Sequence, residues 1–203
     1  MKLLIDSANL ADIERLFTIY PVTGVSCNPT ILKKEQQNPY ALLEEIRQIM
    51  PSEAQLHVQV ISADSEAMVR EAYELRARLG SDIIIKIPAN TEGIKAIRAL
   101  HRDDIKTTGT VVYTALQGYL AALAGATYIA PYVNRIDNIG FDGVRVVSDL
   151  QTIVTKNSFK TKILAASFKN SQQVLEMVKL GVDAATLSPE VLDGLLKFSV
   201  IDN

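Results

Sequence analysis

Short apolar runs alternate with helical patterns along the whole chain, and this alternation limits the possible folds more than any other feature. Each run has the length of a strand and is apolar on both faces. Such strands are typical of parallel sheets whose two sides are covered by helices. The predicted strands are Lys2–Asp6, Val22–Ser26, Leu56–Ile61, Ile83–Ile87, Ile105–Thr110, Tyr128–Val133, Lys162–Ala166 and Ala184–Leu187.

Each predicted strand is followed by a segment whose apolar residues recur with a spacing near 3.6, as in amphipathic helices. Asn9, Asp64 and Asn90 precede three of these segments and are typical N-cap residues. The predicted helices are Leu10–Thr18, Pro39–Met50, Ser65–Leu79, Thr91–Leu100, Ala115–Ala124, Phe141–Thr155, Ser171–Leu180 and Pro189–Phe198.

Eight strand–helix units predict an α/β protein with a closed (β/α)8 TIM barrel, since eight parallel strands close this barrel. The alternative is an open doubly wound sheet, which has a Gly-rich first turn when it binds a nucleotide. The first turn here is Asp6-Ser7-Ala8-Asn9, without glycine. No linker or repeat interrupts the chain, so we expect one domain over residues 1–203.

The composition argues against several classes of protein. A net charge of −2 gives no basic surface for nucleic acid or an anionic membrane, and no apolar stretch approaches the ~20 residues of a membrane span. Cys27 is the only cysteine, so no internal disulfide forms, which favours a cytoplasmic protein. One cysteine and two histidines, His57 and His101, argue against a zinc or iron–sulfur centre.

Lys86 lies inside the apolar run Ile83–Ile87. Lysine is almost never fully buried without a partner or a function. A buried amine is disfavoured as a cation, so its pKa falls from a reference value of about 10.4. The free amine can then attack a carbonyl and form a Schiff base. The alternative, equally weighted on this segment alone, is a lysine at a strand end whose amine reaches solvent.

Polar residues lie near the C-terminal ends of the predicted strands, where TIM barrels carry catalytic groups. Because side chains alternate along a strand, one register directs Asp6, Gln59, Lys86 and Tyr132 into the same mouth. Single residues of this kind also have structural interpretations. Asp6 can cap a helix, Tyr132 can belong to the core, and Thr110, at the end of strand five, can be an ordinary strand residue. The pattern around one lysine favours a catalytic site.

Several segments, in order over nearly the whole chain, resemble the small-subunit transaldolase and fructose-6-phosphate aldolase family. The most specific are Tyr132-Val133-Asn134-Arg135-Ile136-Asp137 and Ala165-Ala166-Ser167-Phe168-Lys169, and Ile85-Lys86-Ile87-Pro88 also matches. The resemblance implies a TIM barrel and a class I aldol mechanism that needs no metal or cofactor.

The resemblance also implies roles for individual residues. Lys86 matches the Schiff-base lysine, and Asp6 matches an acid that places the substrate and moves protons. Asn28 matches an asparagine that bonds substrate hydroxyls and the lysine region, and Thr110 a threonine that orients the catalytic water. Arg135 and Ser167 match the phosphate-binding pair.

Two positions separate the branches of the family. Transaldolases have a glutamate on strand three and a phenylalanine in strand six, whereas the fructose-6-phosphate aldolase branch has glutamine and tyrosine. This chain has Gln59 and Tyr132 and is more similar to the aldolase branch. A tyrosine hydroxyl can act as the acid or base that releases dihydroxyacetone.

The sequence therefore predicts an aldolase that cleaves or forms fructose 6-phosphate. The alternative within the family is a transaldolase of the pentose phosphate pathway, and an alternative of another class is a catalytically silent barrel that only binds a sugar phosphate. The expected partners are sugar phosphates, with no nucleic acid or membrane. By family resemblance the chain is expected to form a homo-oligomer, a pentamer or a decamer.

Overall fold

A computed structural model gives the structure of the protein and describes residues 1–197. Within these residues, eight parallel strands follow one another around a closed barrel, and the last strand pairs with the first. This closure confirms the predicted (β/α)8 TIM barrel. The strands are β1 (Lys2–Asp6), β2 (Val22–Cys27), β3 (Gln55–Gln59), β4 (Ile84–Pro88), β5 (Thr107–Val112), β6 (Tyr128–Pro131), β7 (Lys162–Ala165) and β8 (Ala184–Leu187).

All eight predicted strands are present, but the prediction was wrong at several ends. The N–H of Val60 still donates to the carbonyl oxygen of Lys86, but β3 goes no further because the N–H groups of Ile61 and Ser62 donate to the carboxylate of Glu71. β6 stops at Pro131, and Tyr132 keeps only an isolated bridge to Ala166. The functional ends of these two strands are therefore shorter than the apolar pattern predicts.

The eight predicted helices are present, together with two short ones. Those helices are α1 (Leu10–Ile19), α3 (Pro39–Ile49), α4 (Ser65–Leu79), α5 (Thr91–Arg102), α6 (Ala115–Leu123), α8 (Gly143–Lys156), α9 (Ser171–Leu180) and α10 (Pro189–Gly194). The last helix was predicted to reach Phe198, but α10 ends at Gly194; Phe198 itself lies outside the described residues. No helix in residues 1–197 has both the length and the apolarity needed to cross a membrane.

The two helices missed in the sequence are α2 (Pro29–Lys34) and α7 (Val133–Asn138). Each has six residues, too few for a 3.6-residue period to emerge. The start of α2 does carry a signal, since Asn28 caps it and Pro29 occupies its first position. α7 has no side-chain cap, and its first residue is valine, a β-branched residue that favours a strand.

The alternation of side chains along β4 separates two layers. Ile85 and Ile87 pack into the large core between the strands and the helices, whereas Ile84 packs inside the barrel. Lys86 shares the face of Ile84 and therefore points into the barrel. Gly93 lets α5 approach the end of this strand, because a Cβ there would lie 1.7 Å from the carbonyl oxygen of Pro88.

Candidate active site

A small cavity opens at the C-terminal ends of the strands, where TIM barrels carry their functional groups. Its volume is about 120 Å³. Ala166 and six residues singled out in the sequence line it: Asp6, Asn28, Lys86, Tyr132, Arg135 and Ser167. Gln59 and Thr110 adjoin this lining, since Gln59 pairs with Lys86 across β3 and β4 and Thr110 contacts Tyr132.

Lys86 contributes a buried amine to the cavity. Its side chain is only 3% exposed, so the alternative in which its amine reaches solvent is wrong. Burial lowers the pKa of the amine from its usual value, and the negative charge of Asp6 opposes that change. A lowered pKa increases the fraction of free amine at neutral pH, which is the form that attacks a carbonyl.

Asp6 ends β1 and is half-buried at the cavity wall. Burial raises the pKa of its carboxyl group, while the positive charges of Lys86 and Arg135 act in the opposite direction. Asp6 is not the cap of α1, because the side chain of Asn9 accepts the backbone hydrogen bond of Asp12. Its carboxyl group is therefore available to exchange protons with a ligand beside Lys86.

Tyr132 places a phenol in the same cavity. Its hydroxyl lies 3.0 Å from the Thr110 hydroxyl, and the side chain is 7% exposed. The guanidinium of Arg135 lies over the ring, 4.7 Å from its centre. Burial raises the pKa of the phenol, so it keeps its proton at neutral pH and can donate it.

Arg135 and Ser167 form the outer part of the cavity. Arg135 belongs to α7, one of the two short helices missed in the sequence. Ser167 follows β7, and its carbonyl oxygen accepts a 2.7 Å hydrogen bond from the backbone N–H of Asn134. This bond ties the two segments together. A guanidinium and a hydroxyl side by side can bind a phosphate group.

A family model described as Transaldolase/Fructose-6-phosphate aldolase matches residues 3–202. The chain belongs to this family. Its members are aldolases and transaldolases that form a Schiff base, so family membership supports an activity of this general type. The buried Lys86 amine in a barrel mouth is the arrangement that such chemistry requires.

Two amide side chains of the transaldolase/fructose-6-phosphate aldolase barrel carry atoms suited to a ligand or an ordered water. The Oδ1 atom of Asn28 accepts the backbone N–H of Ile31 at 3.1 Å, which leaves its NH₂ group to donate at the cavity wall. The Oε1 atom of Gln59 is buried and has no hydrogen-bond partner within residues 1–197. It can accept a hydrogen bond from a molecule that enters.

Sequence reasoning missed three buried polar residues around the lysine. Lys86 Nζ donates a 2.7 Å hydrogen bond to Ser26 Oγ, and His57 Nδ1 lies 3.0 Å from Thr108 Oγ1. Burial, and then the charge of Lys86, lowers the pKa of His57 to about 3, so this imidazole is neutral at neutral pH. The sequence did offer a signal for two of them. Because side chains alternate along a strand, Ser26 shares a face with Asn28, and His57 shares a face with Gln59.

Cys27 and the potential metal ligands of residues 1–197 do not form a second reactive site. Burial raises the pKa of Cys27 to about 12, so its thiol is a poor nucleophile. Residues 1–197 contain no group of three or more histidine, cysteine, aspartate or glutamate side chains able to hold a metal.

Proposed function

We propose that the protein is a class I aldolase that reversibly cleaves fructose 6-phosphate into dihydroxyacetone and glyceraldehyde 3-phosphate. The observation that carries this proposal is the protonated Tyr132 hydroxyl in the same cavity as the Lys86 amine. Cleavage is complete only when the three-carbon enamine receives a proton and leaves, and a phenol beside the amine can supply that proton.

The cavity residues suggest an order of events. The Lys86 amine attacks the ketone carbon, and loss of water gives an iminium ion. Asp6 takes the proton from the hydroxyl on C4, the bond between C3 and C4 breaks, and its electron pair stays on the three-carbon unit as an enamine while glyceraldehyde 3-phosphate departs. Tyr132 protonates the enamine carbon, and water then hydrolyses the imine to dihydroxyacetone and the free lysine. Arg135 and Ser167 hold the phosphate of the substrate until glyceraldehyde 3-phosphate departs.

One assay tests this function against its main alternative. The protein is incubated with fructose 6-phosphate alone and then with erythrose 4-phosphate added, while glyceraldehyde 3-phosphate is followed. An aldolase releases glyceraldehyde 3-phosphate continuously without an acceptor. Release only after the acceptor is added would contradict the proposal and identify a transaldolase.

We expect Arg135→Ala to impair phosphorylated substrates selectively. A charge-assisted hydrogen bond contributes about 1.5–3 kcal/mol, so kcat/KM for glyceraldehyde 3-phosphate should fall roughly tenfold to 100-fold more than for free glyceraldehyde. The control is Arg145→Ala, which removes an exposed arginine paired with Asp149 on its own helix. Equal losses for both acceptors would rule out a phosphate-binding role for Arg135.

We expect Asp6→Asn to shift the pH dependence of imine formation to lower pH. The Asp6 charge raises the pKa of Lys86, so its removal leaves more free amine at a given pH. The measurement is the initial rate of imine formation with dihydroxyacetone across a pH series, with samples quenched in borohydride at one fixed pH. The pH of half-maximal rate should be lower than in the wild type, and an unchanged or higher value contradicts the coupling.

A further inference from the structure

A short hydrogen bond crosses the interior of the barrel from Lys86 to Ser26. The two atoms, Nζ and Oγ, lie 2.7 Å apart, and both side chains are buried. Ser26 belongs to β2 and Lys86 to β4, so the bond passes over the intervening strand β3. Side chains from alternate strands meet in this way inside a TIM barrel.

The Ser26 hydroxyl is a hydrogen-bond acceptor for the Lys86 amine. Within residues 1–197, Ser26 Oγ is the only atom that accepts a hydrogen bond from Lys86 Nζ. An ammonium group has three N–H donors, whereas a neutral amine has two and a lone pair. Ser26 Oγ accepts from one of these N–H groups in either form, and the neutral amine keeps its lone pair for a carbonyl carbon.

The position of Ser26 directs the amine toward one wall of the cavity. Asp6 is the register partner of Ser26 on β1. Asn28 has an extended backbone and follows two residues later, so its side chain lies on the same face as that of Ser26. Asp6 and Asn28 both line the cavity, so the hydrogen bond draws the amine to the wall that they form.

We propose that Ser26 is a positioning residue whose hydroxyl holds the Lys86 amine at the wall formed by Asp6 and Asn28, ready to attack the substrate ketone. In that attack a nitrogen–carbon bond forms, both amine hydrogens leave with the ketone oxygen as water, and the imine nitrogen then takes up a proton to give the iminium ion. Ser26 is unchanged by the reaction, since it only fixes where the amine waits. This proposal rests on the proposed function, because it requires an imine at Lys86.

The test compares Ser26→Ala with Ser26→Thr, which keeps the hydroxyl. The readout is the rate of imine formation with dihydroxyacetone over a pH series, quenched with borohydride and measured as covalent mass. We expect Ser26→Ala to lower the plateau rate roughly tenfold to 100-fold, because misplaced reacting groups lose rate on this scale. We also expect its half-maximal pH to fall, because a hydroxyl acceptor stabilises the ammonium form.

Ser26→Thr should restore at least a third of the wild-type plateau rate and its half-maximal pH. The matched control is Thr186→Val, which removes a buried hydroxyl at nearly constant volume. Unlike Ser26, Thr186 has no side-chain hydrogen-bond partner in residues 1–197. Its rate should stay within about twofold of the wild type, since it does not contact the amine. Ser26→Cys, with a weaker acceptor of similar size, replaces Ser26→Ala if that variant does not fold.

The outcomes separate the two proposals. If the wild type gains no adduct, the proposed function fails. If the wild type gains the adduct and Ser26→Ala matches it in rate and half-maximal pH, only the role of Ser26 fails. A Ser26→Thr variant as slow as Ser26→Ala, or a Thr186→Val variant with the same loss, also overturns the positioning role.

Discussion

Lys86→Met is expected to lower turnover more than ~1000-fold while the barrel remains folded, because the covalent route through the lysine disappears. Methionine fills a similar volume without an amine. Lys86→Arg should be equally inactive, since a guanidinium does not lose its proton at working pH. The measurement is steady-state cleavage of fructose 6-phosphate, with circular dichroism and thermal unfolding to verify the fold.

The matched control for this loss is Lys95→Met. Lys95 is an exposed lysine on α5 that pairs with Glu92 on the same helix. Its substitution should leave turnover within about twofold of the wild type, because surface pairs contribute little. A Lys86→Met enzyme within tenfold of wild-type turnover would be incompatible with a Schiff base at this position.

Tyr132→Phe is expected to lower aldolase turnover by roughly 100-fold or more, within the range for loss of a general acid. The substitution removes the hydroxyl that lies 3.0 Å from Thr110 and keeps the ring under Arg135. Imine formation at Lys86 should stay largely intact, because the phenol acts after the carbon–carbon bond has broken. The enamine then persists and can react with an aldehyde acceptor.

Both reactions are measured on the same preparation: cleavage as glyceraldehyde 3-phosphate released without acceptor, and transfer as sedoheptulose 7-phosphate formed from erythrose 4-phosphate. Transfer should rise relative to cleavage in Tyr132→Phe. Tyr113→Phe is the control, since its ring packs edge-to-face against Tyr132 at 5.8 Å. If the wild type transfers faster than it cleaves, or if the ratio is unchanged in Tyr132→Phe, the assignment to the aldolase branch is wrong.

The barrel could be predicted from the sequence because its signal is repeated and local. Each strand is buried on both faces, so a continuous apolar run marks it, and each helix carries its own period. The errors lie where one tertiary contact ends an element. The carboxylate of Glu71 takes the backbone N–H groups that would have continued β3, and no local pattern reveals that acceptor.

The cavity lining was predictable residue by residue, but its internal contacts were not. Alternation places Asp6 and Lys86 on inward faces, and six singled-out residues do line one cavity. The hydrogen bond between Ser26 and Lys86 depends on the stagger of two strands separated by a third, which no local sequence pattern encodes. The six-residue helix that carries Arg135 was missed because it is too short to show a helical period.

Covalent trapping with fructose 6-phosphate tests the central claim most directly. The protein is incubated with this substrate, reduced with borohydride, digested and mapped by mass spectrometry, with Lys86→Met treated in parallel. The account predicts one added three-carbon unit on the peptide that contains Lys86 and no such mass in the variant. An unmodified wild-type protein, or an adduct that forms on another lysine and persists in Lys86→Met, would contradict it.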